Sequence, residues 1–166
     1  MIINKKVEKV LNKQINMEFW SAYLYLSMSN YLFDAGFHGF AHWFQVQFKE
    51  EAAHALKMLN YVNERGGRVI LTQVPEVPKE WKGVMDVYEE TYKHECEVTK
   101  LINECVDVAN KEKDHATKIF LNWFVTEQVE EEATVSEIID QLKMFNAQGE
   151  GLYLMDKSMR SRTAGE

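Results

Sequence analysis

The scarcity of helix-breaking residues constrains this fold more than any other feature of the sequence. The 166-residue chain contains only two prolines and eight glycines. Most of them lie in the stretches 33–39, 65–81 and 146–151, and a fourth polar stretch, 110–114, ends with Asp114 as a candidate N-cap. Between these stretches apolar residues recur at the 3.6-residue spacing of amphipathic helices. The sequence therefore predicts a chain built from a few very long helices.

Four long helices and a short fifth one are predicted from this spacing. Their approximate bounds are 4–34, 38–65, 81–110 and 114–145 for the long helices and 151–160 for the short one. A helix of about 30 residues is about 45 Å long. The short turns after the first and third helices predict antiparallel hairpins. The connection between the second and third helices, about 15 residues, can run the length of the bundle if it is extended.

The predicted fold class is therefore all-α, an antiparallel four-helix bundle with one long crossover connection and a short fifth C-terminal helix. The whole chain, 1–166, is expected to form one domain. The bundle is expected over about 4–145 and a mobile tail over 161–166. The segment RVILTQV, 68–74, has the composition of a strand, but we expect it to be an extended connector.

Composition and charge exclude several classes of function. The net charge is −7 and the isoelectric point is about 5.3, whereas nucleic-acid binding needs a basic face. No apolar run approaches the roughly 18 residues of a membrane span, and the N-terminus lacks the apolar core of a signal peptide. Cys96 and Cys105 are too few for a disulfide framework, so reduced thiols and a cytoplasmic location are expected.

Each long helix carries acidic residues within its apolar stripe, where a packed core would favour leucine. In the second helix Glu51 and, one turn later, His54 interrupt a stripe that includes Phe44 and Val62. The interrupting residues are Glu18 in the first helix, Glu51 and His54 in the second, Glu95 in the third, and Glu127, Gln128 and Glu131 in the fourth. The pattern recurs on every helix and therefore needs one common explanation.

Counting from the turns shows that these residues lie at matching heights in the bundle. Glu18 precedes the turn at position 35 by nearly the same distance along the chain as Glu51 follows it. Glu95 and Glu127 stand in nearly the same relation to the turn at position 112. Because a helix rises by about 1.5 Å per residue, all of them fall within about one turn of the same level. Glu131 lies one turn further, and the counting leaves it and Glu127 as equal candidates.

A buried cluster of carboxylates must either hold protons or be neutralised by cations, because the charged groups lose their hydration and repel one another. Several carboxylates with one imidazole suit a pair of hard divalent ions, iron or manganese. Inward glutamates with a Glu-x-x-His pair are how helical bundles build di-iron sites. A single interrupted stripe would fit an ordinary position at the edge of the core. The alternative to a metal site is a bundle in which these polar residues have a purely structural role. The matched heights lead us to predict a metal site.

Other polar residues carry weaker signals. The remaining histidines lack such acidic company and are expected at the surface or in loops; they are His38, His42, His94 and His115. The acidic run 130–132 fits either a solvated face or a flank of the predicted site.

Four motifs together resemble the non-haem bacterial ferritins. They are MEFWSAYLY with Glu18 and Tyr25, FKEEAAH with Glu51 and His54, YKHE ending at Glu95, and WFVTEQVEEE over 123–132. The resemblance covers essentially the whole chain, including the fifth helix. It implies the ferritin-like fold, iron as the bound metal and a ferroxidase that stores iron.

The resemblance also implies roles for individual residues. The ligands of a first iron ion would be Glu18, Glu51 and His54, with Glu51 bridging to a second ion. The ligands completing the second position would be Glu95 and Glu131, with Gln128 alongside. A third, more exposed iron site would comprise Glu50, Glu127, Glu130 and Glu131. Tyr25 matches a tyrosine close to the metal pair and is the expected catalytic residue, and Trp123 matches a neighbouring aromatic residue.

Two departures distinguish the chain from the similar bacterioferritins. Those proteins carry a second Glu-x-x-His on the fourth helix, whereas the corresponding run here, 127–130, ends in Glu130. They also place a haem-ligating methionine just after the glutamate of the second helix, where this chain has Ala52. We therefore expect no haem, and an asymmetric centre with a weaker second position.

The function implied by the resemblance is oxidation of Fe²⁺ by dioxygen or peroxide and storage of Fe³⁺ as a mineral in a hollow shell of 24 subunits. The short fifth helix would line pores of that shell, although it could equally cap its own bundle. The alternatives are a rubrerythrin-like peroxidase or another di-iron oxygenase, and a DNA-protecting ferritin relative that forms a smaller shell.

Overall fold

The computed structural model describes residues 2–164 and is all-α, as predicted. Its helices are α1 (Lys5–Asp34), α2 (His38–Glu64), α3 (Val84–Lys111), α4 (His115–Met144) and α5 (Gly149–Met159). α1 packs along α2, and α3 packs along α4, while α2 also contacts α5. These pairings confirm the antiparallel four-helix bundle with a short fifth helix. Positions 165 and 166 of the predicted tail lie outside the described residues.

The crossover between α2 and α3 is held against α1 by two asparagines one helical turn apart. Asn12 Oδ1 accepts a hydrogen bond from the Ile70 N–H at 2.6 Å, and Asn16 Oδ1 accepts one from the Thr72 N–H at 2.8 Å. The Asn16 side chain also donates to the Ile70 carbonyl oxygen at 2.9 Å. These side-chain amides form the hydrogen bonds that backbone N–H and C=O groups of the RVILTQV segment would otherwise make in a sheet. The segment is therefore an extended connector and not part of a sheet.

The third helix begins at Val84, slightly later than the sequence predicts. Gly83 has a φ of +135°, which lies far outside the helical region and is accessible mainly to glycine. Asp86, in the first turn of α3, accepts a hydrogen bond from the Lys82 N–H at 2.8 Å. The backbone therefore turns at Gly83, and the helix can start only after it.

The start of α2 is capped by a residue from α5. Asp156 Oδ1 accepts hydrogen bonds from the N–H groups of Gly39 at 2.9 Å and Phe40 at 3.0 Å. A Cβ on Gly39 would lie 1.5 Å from the carbonyl oxygen of Asp156, so this close approach requires glycine. The starts of α1 and α4 use local caps instead, Asn4 and Asp114. Docking of α5 thus completes the amino end of α2.

A layer of buried polar side chains divides the apolar core into two halves. The half near the α1–α2 turn includes Leu32, Phe40 and Tyr88. The half at the opposite end includes Leu11 and Leu121. No helix within residues 2–164 combines the length and the apolar character that crossing a membrane would need. The polar layer lies where the sequence stripes are interrupted, and it is the feature that the two halves hold in place.

Candidate metal centre

All four long helices contribute to the polar layer between the two core halves. Its members are Glu18 of α1, Glu51 and His54 of α2, Glu95 of α3, and Gln128 and Glu131 of α4. Each of them is at most 6% exposed. Glu131 is buried, whereas Glu127 is half-buried. The structure thereby separates two residues that counting along the helices leaves equivalent.

The tightest part of the layer joins α1 and α2. Ligand atoms of Glu18, Glu51 and His54 all lie within 4.8 Å of one another. His54 Nδ1 is 3.5 Å from Glu51 Oε2, as expected for residues three apart on a helix. The imidazole packs edge-on against the Trp123 ring, with 5.3 Å between ring centroids. This packing orients the one nitrogen ligand of the cluster.

The part of the layer on α3 and α4 is held by hydrogen bonds to Glu95. The Tyr25 hydroxyl donates to Glu95 Oε1, and Gln128 Nε2 donates to Glu95 Oε2 at 3.2 Å. Gln128 Nε2 also lies 3.2 Å from Thr99 Oγ1. Both carboxylate oxygens of Glu95 therefore already accept hydrogen bonds from protein groups.

Two glutamines that the stripe pattern did not single out support the carboxylates. Gln14 Nε2 donates to Glu18 Oε1 at 2.8 Å. Gln47 Nε2 donates to Glu131 Oε2 at 2.7 Å and lies 3.4 Å from Glu51 Oε1. Each glutamine precedes a glutamate of its own helix by one turn, the spacing of neighbours on one helical face. A Gln-x-x-x-Glu repeat in α1 and α2 was therefore a readable signal for both residues.

Burial raises the pKa of the carboxyl groups in this layer. The pKa of Glu18 lies well above its usual value because of burial and then the charge of Glu51, and burial and Glu95 do the same for Glu51. Burial raises the pKa of Glu95 to about 7. Burial and then the charge of Glu95 raise the pKa of Glu131 to about 8. Without positive charge between them, these groups retain protons near neutral pH.

Tyr25 stays protonated for the same physical reason. Burial and then the charge of Glu95 raise the pKa of its phenol well above the usual value. Tyr25 is fully buried between the layer and the apolar half that contains Phe44. Its hydroxyl is therefore a fixed hydrogen-bond donor to Glu95.

The residues of the tight cluster fit a bound cation. Glu18 Oε2 is buried and accepts no hydrogen bond from an N–H or hydroxyl group of the described residues. Without a cation, a proton shared with the neighbouring Glu51 carboxyl is what would satisfy it. A buried polar atom without a partner costs about 1–3 kcal/mol, and more if the group is charged. A cation among Glu18, Glu51 and His54 would remove that cost. Oxygen ligands with a single imidazole suit iron or manganese better than metals that prefer thiolates.

Comparisons with known proteins agree with this geometry. A family model described as a ferritin-like domain matches residues 8–145. A bacterial non-heme ferritin from Bacteroides fragilis (strain 638R) is 43% identical over 161 residues, which are 97% of this chain and 100% of that protein. The chain belongs to the ferritin family. A bacterial non-heme ferritin from Campylobacter jejuni is 39% identical over 160 residues, 96% of each chain.

Solved structures extend the comparison to three dimensions. An engineered closed form of the Archaeoglobus fulgidus ferritin matches with a TM-score of 0.96 and 46% identity, covering 98% of this chain and 99% of that one. The open-pore ferritin of the same organism matches with a TM-score of 0.95 and 46% identity, covering 97% and 98%. The ferritin-like fold and the resemblance to non-haem bacterial ferritins are confirmed.

The residues expected at a third iron site of this ferritin lie on the open flank of the layer. Glu50 and Glu127 are half-buried and line a cavity of about 370 Å³ beside His54. Glu130 is exposed. Glu50 forms an ion pair with Arg162 at 2.6 Å. Glu131 is the buried member of the set and connects this flank to the layer through its bond to Gln47.

The prediction that the remaining histidines lie at the surface or in loops is correct for His38 and His115 and wrong for two others. His94 is half-buried, its Nε2 lies 2.7 Å from Ser21 Oγ, and burial lowers its pKa to about 4. His42 is half-buried and lies 2.9 Å from the Arg162 carbonyl oxygen. Both histidines pack against neighbours that the helix periodicity alone does not place beside them.

Proposed function

We propose that this ferritin chain stores iron and is a ferroxidase, which oxidises Fe²⁺ within the bundle and passes Fe³⁺ to a mineral held in an oligomeric shell. The observation that carries the proposal is the buried cluster of Glu18, Glu51 and His54, in which Glu18 Oε2 accepts no hydrogen bond from a described N–H or hydroxyl group. Such a cluster either keeps its protons or binds a cation, and a cation would also satisfy Glu18 Oε2. Family membership supports the storage role, since the relatives are named non-heme ferritins.

Two Fe²⁺ ions would bind in the polar layer as substrates. Glu18, Glu51 and His54 would hold the first ion. Glu95 and Glu131 would hold the second, with Gln128 alongside and Glu51 bridging the pair. The position of Glu51 supports the bridging role, because one of its oxygens lies 3.5 Å from His54 and the other lies 3.4 Å from Gln47, which bonds Glu131.

Hydrogen bonding supports a weaker second position. Both oxygens of Glu95 accept protein hydrogen bonds, and Glu131 Oε2 accepts one from Gln47. A metal ion at the second position must share or replace these donors. Glu18 Oε2 has no such donor to lose. The first ion is therefore bound more tightly, and Fe³⁺ leaves more readily from the second position.

The reaction transfers one electron from each of two Fe²⁺ ions to one oxidant. If dioxygen accepts both electrons with two protons, hydrogen peroxide forms; if hydrogen peroxide accepts both electrons with two protons, two water molecules form. The metal pair positions the oxidant, and the carboxylates stabilise the higher charge of Fe³⁺. Tyr25 would act beside the pair by orienting Glu95 through its hydroxyl.

Several further features belong to this proposal. Glu50, Glu127, Glu130 and Glu131 would form a third iron site that receives Fe³⁺ on its way to the mineral. The chain would assemble as a homo-oligomer, with 24 subunits in the complete shell. We propose a cytoplasmic location, and the chain carries two free cysteines, Cys96 and Cys105. Haem has no role in the scheme.

A rubrerythrin-like peroxidase or another di-iron oxygenase is the competing function. The fourth helix presents Gln128 and Glu131 to the layer and has Glu130 where a second Glu-x-x-His would end. The resulting asymmetry favours release of oxidised iron over retention of a permanent cofactor pair.

Aerobic addition of Fe²⁺ to the metal-free protein tests the proposal. Absorbance of ferric mineral should rise far beyond two irons per chain, in a particle much larger than one subunit. His54→Ala should slow the rapid phase by at least about tenfold, because even residues that only orient metal ligands contribute 10–100-fold. His115→Ala, which changes an exposed histidine, is the matched control. Oxidation that stops at two irons per chain, or a parental rate in His54→Ala, contradicts the proposal.

A further inference from the structure

The segment after α5 returns to the flank of the polar layer and is anchored there by Arg162. Arg162 Nη2 donates to Glu50 Oε2 at 2.6 Å and to Gln47 Oε1 at 2.7 Å, and Nη1 donates to the Trp43 carbonyl oxygen at 3.2 Å. The guanidinium carbon lies 4.1 Å from the centroid of the Trp43 ring. His42 Nε2 lies 2.9 Å from the Arg162 carbonyl oxygen. One side chain near the end of the chain therefore contacts two successive turns of α2.

These contacts reach groups already assigned to the metal centre. Gln47 uses its oxygen for Arg162 and its nitrogen for Glu131, at 2.7 Å in both cases. The guanidinium and the two carboxyl groups on the nitrogen side of Gln47, those of Glu131 and Glu51, favour the same orientation of the amide. The amide therefore keeps this orientation when the guanidinium is removed. Glu50, the other partner, lines the cavity beside His54 and Glu127.

The ion pair occupies a carboxylate that the third iron site would need. Only 20% of the Arg162 side chain and 15% of the Glu50 side chain are exposed, so solvent screens the pair less than a surface pair. A guanidinium remains protonated in proteins and presents donors in a rigid fork. A cation that binds Glu50 must therefore displace this positive charge or tolerate it at close range.

We propose that Arg162 sets the affinity of the third cation by competing with it for Glu50. This inference rests on the proposed function, in which Glu50 and Glu131 receive iron on its way out. The competition keeps the third position weak, so that iron passes through it. The two positions within the layer keep their own ligands and do not depend on the competition.

Anaerobic titration calorimetry with Fe²⁺ on the metal-free protein tests the inference without any oxidation. Arg162→Gln should raise the affinity of the weakest bound Fe²⁺ about fivefold, since a pair of this kind contributes about 1 kcal/mol. The affinities of the two tighter ions should stay within about twofold. Arg162→Lys keeps the positive charge, so the affinity for the most weakly bound Fe²⁺ should stay close to that of the parent. Arg160→Gln removes the same charge from an exposed position of the same segment and is the matched control.

The outcomes separate competition from a merely structural role. In a Glu50→Gln background, Arg162→Gln should leave every Fe²⁺ affinity unchanged, because the contested carboxylate is absent. Equal effects of Arg162→Gln and Arg160→Gln, or a parallel loss at all Fe²⁺ positions, would overturn the inference. The inference would also be overturned if the affinity for the most weakly bound Fe²⁺ were the parental one in both Arg162→Gln and Arg162→Lys. Failure of the proposed function has a different signature, namely an unmodified chain that binds anaerobic Fe²⁺ but does not oxidise it in air.

Discussion

The apolar halves of the bundle and the polar layer between them obey opposite rules. In the halves, residues such as Leu11 and Leu121 are fully buried and gain stability by leaving water. In the layer, burial raises the pKa values of the carboxyl groups. Glu18 Oε2 accepts no hydrogen bond from an N–H or hydroxyl group of residues 2–164. Burial of the apolar side chains stabilises the fold. This stabilisation offsets the cost of holding several buried carboxyl groups close together in the layer. The proposed function is thus concentrated in the polar layer, where burial costs most.

The largest effect should come from weakening an apolar half. Leu121→Ala removes a fully buried side chain from α4 and should lower the free energy of unfolding by about 2–5 kcal/mol. The rate of iron oxidation per folded chain should change little, because Leu121 lies outside the layer. Thermal or denaturant unfolding of the metal-free protein measures the first quantity. Val129→Ala, at a position of α4 that is 67% exposed, should change stability by less than about 0.5 kcal/mol. A comparable loss in both variants would contradict the division of roles.

The pH dependence of stability should come from the layer. The folded pKa is about 7 for Glu95 and about 8 for Glu131, both above the usual value of 4.5. The folded state therefore binds more protons than the unfolded state between about pH 4.5 and 8. The contribution of these two groups to the stability of the metal-free protein should be greatest below that range and fall as pH rises through it, by up to about 1.4 kcal/mol per pH unit for each group.

Divalent metal should oppose this trend, because binding requires the carboxyl groups to lose their protons and is favoured at higher pH. Melting curves at a series of pH values, with and without Fe²⁺ under anaerobic conditions, test both statements. A Glu95→Gln, Glu131→Gln double variant should show a flatter pH profile. An equally steep profile in that variant would place the titrating groups elsewhere.

A smaller effect on stability should follow from replacing a polar pair of the layer by apolar side chains like those of the two core halves. The double substitution Gln14→Leu, Glu18→Leu replaces a hydrogen-bonded buried pair by apolar side chains of similar volume. Replacing both partners of a buried polar pair together is often neutral or stabilising, by up to about 4 kcal/mol for ion pairs. The metal-free variant should therefore melt at or above the parental temperature, while rapid iron oxidation is lost. Glu18→Leu alone leaves the Gln14 amide unpaired and should be less stable than the double variant. A double variant that is clearly less stable than the parent would mean that the layer contributes to folding.

The layer itself could be predicted from the sequence because helix geometry is regular. Residues that stand equally far before and after one turn, as Glu18 and Glu51 nearly do, must lie near one level in antiparallel helices. Carboxylates inside apolar stripes are also easily recognised. The same regularity of the helix explains why counting could not separate Glu127 from Glu131. Glu127 and Glu131 are one turn apart on the same helix, and only the structure shows that Glu131 is buried and accepts a hydrogen bond from Gln47 of α2.

The sequence by itself determined the all-α class, the antiparallel pairing and the level of the acidic residues, since each follows from spacing within a helix or across a short turn. Only the tertiary structure decided which groups meet between distant parts of the chain. Asp156 caps α2 at Gly39 across 117 positions, and Arg162 reaches Glu50 across 112. Such contacts depend on where α5 docks, and no local periodicity carries that information. The same docking places the positive charge of Arg162 beside the layer of buried carboxyl groups.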